Sequence, residues 1–259
     1  VDNGSPNKSV SEMRSRLKDI QIIETGRNLG FTGGVNFAIK HALVLNPKYI
    51  LNLNPDTFVE PQFLSCLVDA LEENSKAAIA GGTIYHLSDR SSIWYAGGKL
   101  IPWRGLAVHF KSPHFSKPHA VSFVTGCMTL LRVDALATIG LQDERFFMYL
   151  DDIEYSARVQ RRGFQLLYVP HAVIYHRQEQ NEESAFKLYY SVRNRLLLID
   201  SAFSSVAKGI ARVYFLLVIT SKLIAWRIAK PTMYKAALQG LQDYFVKNLG
   251  EGHGTSKFG

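Results

Sequence analysis

Over residues 1–82 the chain alternates short apolar runs with stretches of helical spacing. SEMRSRLKD reads as a short helix and IQIIE after it as a strand. VNFAIKHALVLN then sets Val35, Ala38, Ile39, Ala42 and Leu43 on one helical face. YILNLN, residues 49–54, is a strand closed by Pro55. VEPQFLSCLVDALEEN is a helix with Pro61 near its first turn and Phe63, Leu64, Leu67, Val68 and Leu71 along one side, and AAIAGG is a third, buried strand. Strands alternating with helices in this way predict an α/β fold, a mostly parallel sheet with helices on both faces.

From Thr83 to Pro118 the pattern breaks into aromatics and glycines, as in SSIWYAGGKLIPWRG, which predicts antiparallel excursions rather than a further strand-helix unit. Regularity returns with AVSFVTGCMTLLRVDALATIG, a strand carrying Gly126 and then a helix. FFMYLDDIEYSARVQRRGF follows, in which Ile153, Ala157 and Val159 alternate with Arg158, Arg161 and Arg162 and Gly163 supplies the stop. Asp151 and Asp152 therefore sit at a helix start, where the backbone N–H groups favour negative charge. They are expected to be ionised and aimed outward. Plain N-capping needs one such side chain, and two behind Phe146, Phe147 and Tyr149 point to function. FQLLYVPHAVIYH is a last strand, interrupted at Pro170.

The tail from Ser201 differs in kind. Around a helix, Lys208, Arg212, Lys222, Arg227 and Lys230 fall on one side and Val206, Ile210, Val213, Leu217, Ile224 and Ile228 on the other. Its longest charge-free run, Val213 to Ser221, is short of the roughly 20 residues a span needs, so this basic amphipathic region is expected to lie on a membrane surface. The bland alternative is a surface helix docked on the preceding domain. The boundaries read as 1–200 for the main domain and 201–259 for the helical region.

Lys plus Arg exceed Asp plus Glu by 30 to 22, a net +8 that favours an anionic partner. The cations gather in the tail and around Arg158 to Arg162 without a recognition motif, so no nucleic acid is expected. Cys66 and Cys127 form no CxxC, which fits a reducing compartment. No charged leader followed by an apolar core stands at the start of these residues, so no signal peptide is expected within them. Asp56 stands at the C-terminal end of a strand, the edge where open α/β sheets bind ligands, and a hard carboxylate there could hold a divalent cation or simply make a turn. TGRNLGFTGG before a helix suits either a phosphate or close packing, but its spacing is not GxGxxG. His176 is a candidate metal ligand or a polar strand end. HExxH, GxSxG and Walker patterns are absent.

Together these pieces resemble glycosyltransferase family 2, in particular its rhamnosyl- and galactofuranosyltransferase-like members, from Val1 to about Gly250. VDNGSPNKS looks like the family's nucleotide-site turn and RNLGFTGGVNFAI like its NxGFxGGxNxGI. LNLNPDT looks like a variant of its Asp-x-Asp, the block from Val124 to Arg177 like its acceptor side, and YYSVRNRLLLI like its YYxxRN helix. The resemblance implies a GT-A fold with a Rossmann-like nucleotide-binding half and C-terminal amphipathic helices. It assigns Asp2 to the nucleotide base, Asn28, Gly33 and Asn36 to the donor pocket, Asp56 and His176 to a divalent cation (Mg2+ or Mn2+), and Gly126 to the acceptor side. Asp152 would be the general base, Asp151 would orient the acceptor, and Arg193 would lie near the donor or acceptor phosphates. The implied reaction is inverting transfer of a rhamnose- or galactofuranose-type sugar. Donor and acceptor would be a nucleotide diphosphate sugar and a glycan or lipid-linked glycan of the cell surface, with the protein at the cytoplasmic, inner face of the membrane.

Two departures accompany the resemblance. Asn54 stands where the family has the first acid of Asp-x-Asp, and a strand and helix that family members place before the VDNGS turn are missing, so the expected domain is N-terminally incomplete. They define the alternative, an inactive transferase that binds a glycan or a membrane.

Overall fold

The computed structural model of the chain describes residues 1–7, 9–112, 115–177 and 184–258, so Lys8 of the VDNGSPNKS turn and Pro113 in the aromatic stretch lie outside it. Helix α1 (Ser9–Arg16) leads to α2 (Gly30–Leu43), β1 (Tyr49–Leu53), β2 (Thr57–Val59), α3 (Phe63–Glu73) and β3 (Ala77–His86). Four short strands follow: β4 (Ile93–Tyr95), β5 (Gly98–Ile101), β6 (Leu106–His109) and β7 (His119–Val121). Next come β8 (Met128–Arg132), α4 (Val133–Ile139), α5 (Asp151–Arg161) and β9 (Gln165–His176), then α6 (Ala185–Ala202), α7 (Ser205–Ala229), α8 (Pro231–Phe245) and α9 (Gly254–Phe258).

The central sheet has the order β1-β8-β3-β9-β2, with β4 on β3 and β7 on β9. Strands β1, β3 and β9 run in one direction, as their place in strand-helix units requires, but β8 runs back between β1 and β3. The α/β class and its flanking helices hold, whereas the sheet is mixed: β3–β9 is its parallel ladder and its other ladders are antiparallel. Alternate residues serve opposite faces. Leu130 and Leu167 join the core under α3 and α6, and their neighbours Leu131 and Leu166 join that under α2, α4 and α5.

Three local expectations change. IQIIE forms only an isolated bridge between Asp2 and Glu24, because the chain turns at Gly4 and leaves Asp2 as the residue able to pair. The run from Ala120 to Arg132 is two strands, since β7 lies outside β9 while β8 lies inside β3, and the crossing between them carries Gly126 to the start of α5. Pro170 does not end β9. The strand bulges there, its register against β3 shifting between Gly82 and Thr83, and continues to His176.

Among the described residues the tail is α7 and α8, split at Pro231, and the short α9, and α8 packs along α6 across the expected boundary at 200. Asp200 of α6 takes an ion pair from Arg212 and a hydrogen bond from Tyr244. Helix α7 docks through Ala211, Phe215 and Ile219, on the side that also carries Lys208, Arg212 and Lys222. Its apolar side, Val206, Ile210, Val213, Leu217, Ile224 and Ile228, faces away from the protein, with Ile224 72% and Ile228 89% exposed. By length and composition α7 could cross a membrane.

At Gly82 a Cβ would stand 1.9 Å from the Ala172 carbonyl oxygen, inside the bulge of β9. Gly82→Ala should therefore destabilise the fold by about 2–3 kcal/mol through overpacking, read as a lowered urea midpoint. An unchanged midpoint would show that the bulge yields freely.

Candidate active site

The two aspartates begin α5 after a loop whose backbone is strained. Phe147, Tyr149 and Leu150 have φ of 60°, 66° and 65°, a region that costs a non-glycine residue about 1 kcal/mol or more each. What holds it there is α6. The buried Asn194 amide donates to the carbonyl oxygens of Phe146, Met148 and Tyr149 at 2.7, 2.7 and 3.0 Å, and Arg193 Nη2 donates to those of Arg145 and Phe146 at 3.3 and 3.2 Å. Gly30 (φ +74°) closes the other side: a Cβ there would lie 2.5 Å from the Phe147 carbonyl oxygen, and Thr32 N–H donates to that oxygen at 3.3 Å. The glycine-rich stretch thus serves close packing, and helix α2 starts inside it.

The loop and α5 form one wall of a cleft of about 500 Å3 that also exposes Asn54, His176, Trp94 and Gly126. Asp152 is half-buried there, its Oδ2 accepting from Gly126 N–H at 3.1 Å, and Gly126 is kept small by the Phe31 ring. Asp151 is 5% exposed, so it is not aimed outward. Burial raises both carboxyl pKa values; the Asp152 charge adds to the effect on Asp151, and the Gly126 N–H opposes it on Asp152. Both carboxyls therefore bind a proton more tightly than exposed caps would.

Opposite, β9 ends at His176, level with Thr57 of β2 and His86 of β3. Its Nε2 lies 3.2 Å from Asp56 Oδ1, while its Nδ1 is buried without a partner among the described residues. Asp56 is 45% exposed at its side chain and joins the cleft through His176. Burial raises the pKa of the Cys127 thiol, and the charges of Asp56 and Asp152 raise it further. No three His, Cys, Asp or Glu side chains gather as a metal cage among the described residues. A carboxylate, an imidazole and the nearby Asn54 amide are nevertheless a fitting set for a hard divalent cation that takes its other ligands from a diphosphate and water.

Asp2 and Asn28 belong to a second cluster. Asp2 is buried with Oδ2 accepting from Ser5 N–H at 3.1 Å, and its carboxyl is held below the ordinary value by hydrogen bonds, the Ser5 hydroxyl first. Asn28 Oδ1 accepts from Gly30 N–H at 2.9 Å and from Asn3, which ties this turn to α2. Three expectations fail here. Asn36 is buried and spends its amide on Gln142 and Glu144, bracing α2 rather than lining a pocket. Gly33 is buried against Leu29. Arg193 is fully buried beneath the strained loop, stacked on Tyr189 and Tyr190, and presents nothing to a phosphate. Residues passed over include Trp94, 5.4 Å from the His176 ring, and His109, which burial pushes down to a pKa of about 4 and keeps neutral. Both lie in the stretch read only as excursions, where WYAGG was the available signal.

The model of the family described as Glycosyl transferase family 2 matches residues 1–140. Over 222 residues the chain is 28% identical to the low-salt glycan biosynthesis hexosyltransferase Agl10 of Haloferax volcanii, covering 81% of this chain and 69% of that one. It is 24% identical over 200 residues to an N-acetylglucosaminyl-diphospho-decaprenol L-rhamnosyltransferase of Mycobacterium tuberculosis, covering 68% of this chain and 64% of that one. In fold it matches the mannosyltransferase PcManGT of Pyrobaculum calidifontis, solved with GDP-Man and Mn2+, with a TM-score of 0.56 at 10% identity over 95% of this chain and 76% of that one.

A carboxyl whose folded pKa lies above its unfolded value of about 4 stabilises the protonated fold. That stability is complete below the unfolded value and is lost as pH rises through the folded one. Asp151→Asn should therefore gain on the wild type with rising pH, by on the order of 1 kcal/mol or more at pH 8 relative to pH 4, in urea unfolding. A difference that does not change with pH would contradict the burial assigned to Asp151.

Proposed function

The chain belongs to glycosyl transferase family 2, with the GT-A fold, and from that premise we propose an inverting transfer of a rhamnose- or galactofuranose-type sugar from a nucleotide diphosphate donor to a lipid-linked glycan. The observation that carries this reading is the shared cleft: Asp152 on one wall faces the space that His176 and Asn54 border on the other, with Asp56 behind His176. The nucleotide base lies toward Asp2, and the donor diphosphate toward Asp56.

In the proposed step the acceptor hydroxyl attacks the anomeric carbon. Asp152 accepts the hydroxyl proton, a C–O bond forms to the acceptor, and the bond from that carbon to the diphosphate oxygen breaks with its electron pair leaving on the nucleotide. A single displacement inverts the anomeric centre. The raised proton affinity of Asp152 suits a base, the Gly126 N–H fixes its orientation, and Asp151, whose proton affinity burial raises as well, orients the acceptor or its neighbour. When bound by Asp56 and His176, a divalent cation would neutralise charge on the departing diphosphate.

The outward apolar side of α7 supports the membrane part of the reading. Val206 and Ile228 lie 22 positions apart, about 33 Å at 1.5 Å per residue, with the opposite side of the helix docked on the protein. A helix covered along one side fits lying in the interface, with its free side among the acyl chains.

Two outcomes are expected. Asp152→Asn should lower transfer from dTDP-rhamnose or UDP-galactofuranose by about 10²- to 10⁴-fold, with Mn2+-dependent nucleotide binding retained in calorimetry. Wild-type turnover in that variant would remove the base assignment, and absent nucleotide binding in the wild type would favour the inactive module. Leu217→Glu with Ile224→Glu should reduce sedimentation with phosphatidylglycerol vesicles while the melting temperature holds; undiminished sedimentation would take α7 out of the contact.

A further inference from the structure

The catalytic cleft does not end at α5. Leu106, Leu150 and Ser191 line it and also line a smaller cavity of about 160 Å3, whose remaining wall is Arg195 of α6 and Phe215, Ile219 and Lys222 of α7. Apart from Ser191 and its two cations, this second cavity is lined by apolar side chains. The Arg195 guanidinium lies over the Phe215 ring at 4.9 Å, and its Nη2 donates to the Arg104 carbonyl oxygen at 2.6 Å. Among the described residues its Nε is buried with no partner, and so is Nε of the neighbouring Arg104. Neither arginine makes an ion pair among the described residues. Burial draws the Arg195 pKa down to about 10, eased by Tyr214 and deepened by the Arg104 charge, so the group stays cationic at neutral pH. A partly buried guanidinium with an idle N–H beside a second cation is costly unless an anion completes it.

We infer that this cavity holds the phosphoryl group of a lipid-diphosphate acceptor, bound by Arg195 with Lys222 at the α7 side. The inference rests on the transferase reading above and deepens it: it names where the non-sugar part of the acceptor goes. An acceptor sugar whose hydroxyl faces Asp152 sends the group on its anomeric carbon past Leu106 and Leu150 into the cavity. The chain attached to that group then leaves past the exposed Lys222 along α7, the helix whose far side is apolar. A phospholipid headgroup shares the phosphate chemistry, but it lacks a sugar to occupy the adjoining cleft, and continuity with Asp152 favours the acceptor.

The test uses the full chain with N-acetylglucosaminyl farnesyl diphosphate and, as a phosphate-free acceptor, the octyl glycoside of the same sugar. Arg195→Gln should raise the KM for the diphosphate acceptor relative to the octyl glycoside by about tenfold or more, from loss of charged hydrogen bonds. It should weaken farnesyl diphosphate binding, followed by tryptophan fluorescence, to the same degree, and Arg195→Lys should recover part of both. Equal shifts for the two acceptors, or unchanged farnesyl diphosphate binding, would overturn the assignment. Phosphatidylglycerol vesicles that displace farnesyl diphosphate from the wild type but not from Arg195→Gln would give the site to a headgroup and overturn it as well. Nucleotide binding by the wild type, measured alongside, separates the two failures: if it persists while Arg195→Gln behaves as wild type, only this inference falls.

Discussion

The site depends on one buried contact, that of the Asn194 amide with the Phe146, Met148 and Tyr149 carbonyl oxygens of a loop that would not otherwise hold its shape. Phe147, Tyr149 and Leu150 sit at positive φ, and local preference alone would relax them. Three hydrogen bonds from a side chain with no exposed surface, reinforced by Arg193, offset that strain and deliver Asp151 and Asp152 to the helix start in one fixed pose. The YYSVRN segment therefore acts through the loop; its arginine and asparagine are positioning residues.

Burial of the two aspartates follows from the same arrangement. The loop presses Phe146 and Phe147 into the cores beneath it, which leaves Asp151 among apolar neighbours and Asp152 at the cleft rim. Helix-dipole attraction favours ionised acids at this place, by about 0.3–1 kcal/mol at exposed termini, but loss of water around a buried carboxyl outweighs it. A base that holds its proton more tightly than an exposed aspartate is the chemical consequence.

Much of this was legible in the sequence and some was not, for physical reasons. Periodicity located α3 and β1 because single faces of those elements bury Phe63, Leu67 and Leu71 or pair along a full ladder. It missed the antiparallel insertion of β8, since strand direction within a sheet leaves no trace in residue spacing. Asp56, Asp152 and His176 were proposed from residue type at element ends, and the structure brings Asp152 and His176 to one cleft with Asp56 against His176. Asn36 and Arg193 misled because a polar side chain that satisfies buried backbone looks, in one dimension, like one that awaits a ligand. The orientation of α7, docked through Ala211, Phe215 and Ile219 with its aliphatic side outward, was likewise hidden: the helical wheel separates the two sides but does not say which one α6 and α8 cover.

The central claim is that a leaving diphosphate and an accepting carboxylate face each other across a single cleft. Its most direct measurement is a crystal structure of the chain with Mn2+ and a non-transferable nucleotide sugar, collected at the manganese edge. The account predicts an anomalous peak coordinated by Asp56 and His176, with the diphosphate on it and the sugar's anomeric carbon turned toward Asp152. A nucleotide ordered elsewhere, or a manganese peak touching neither residue, would contradict it.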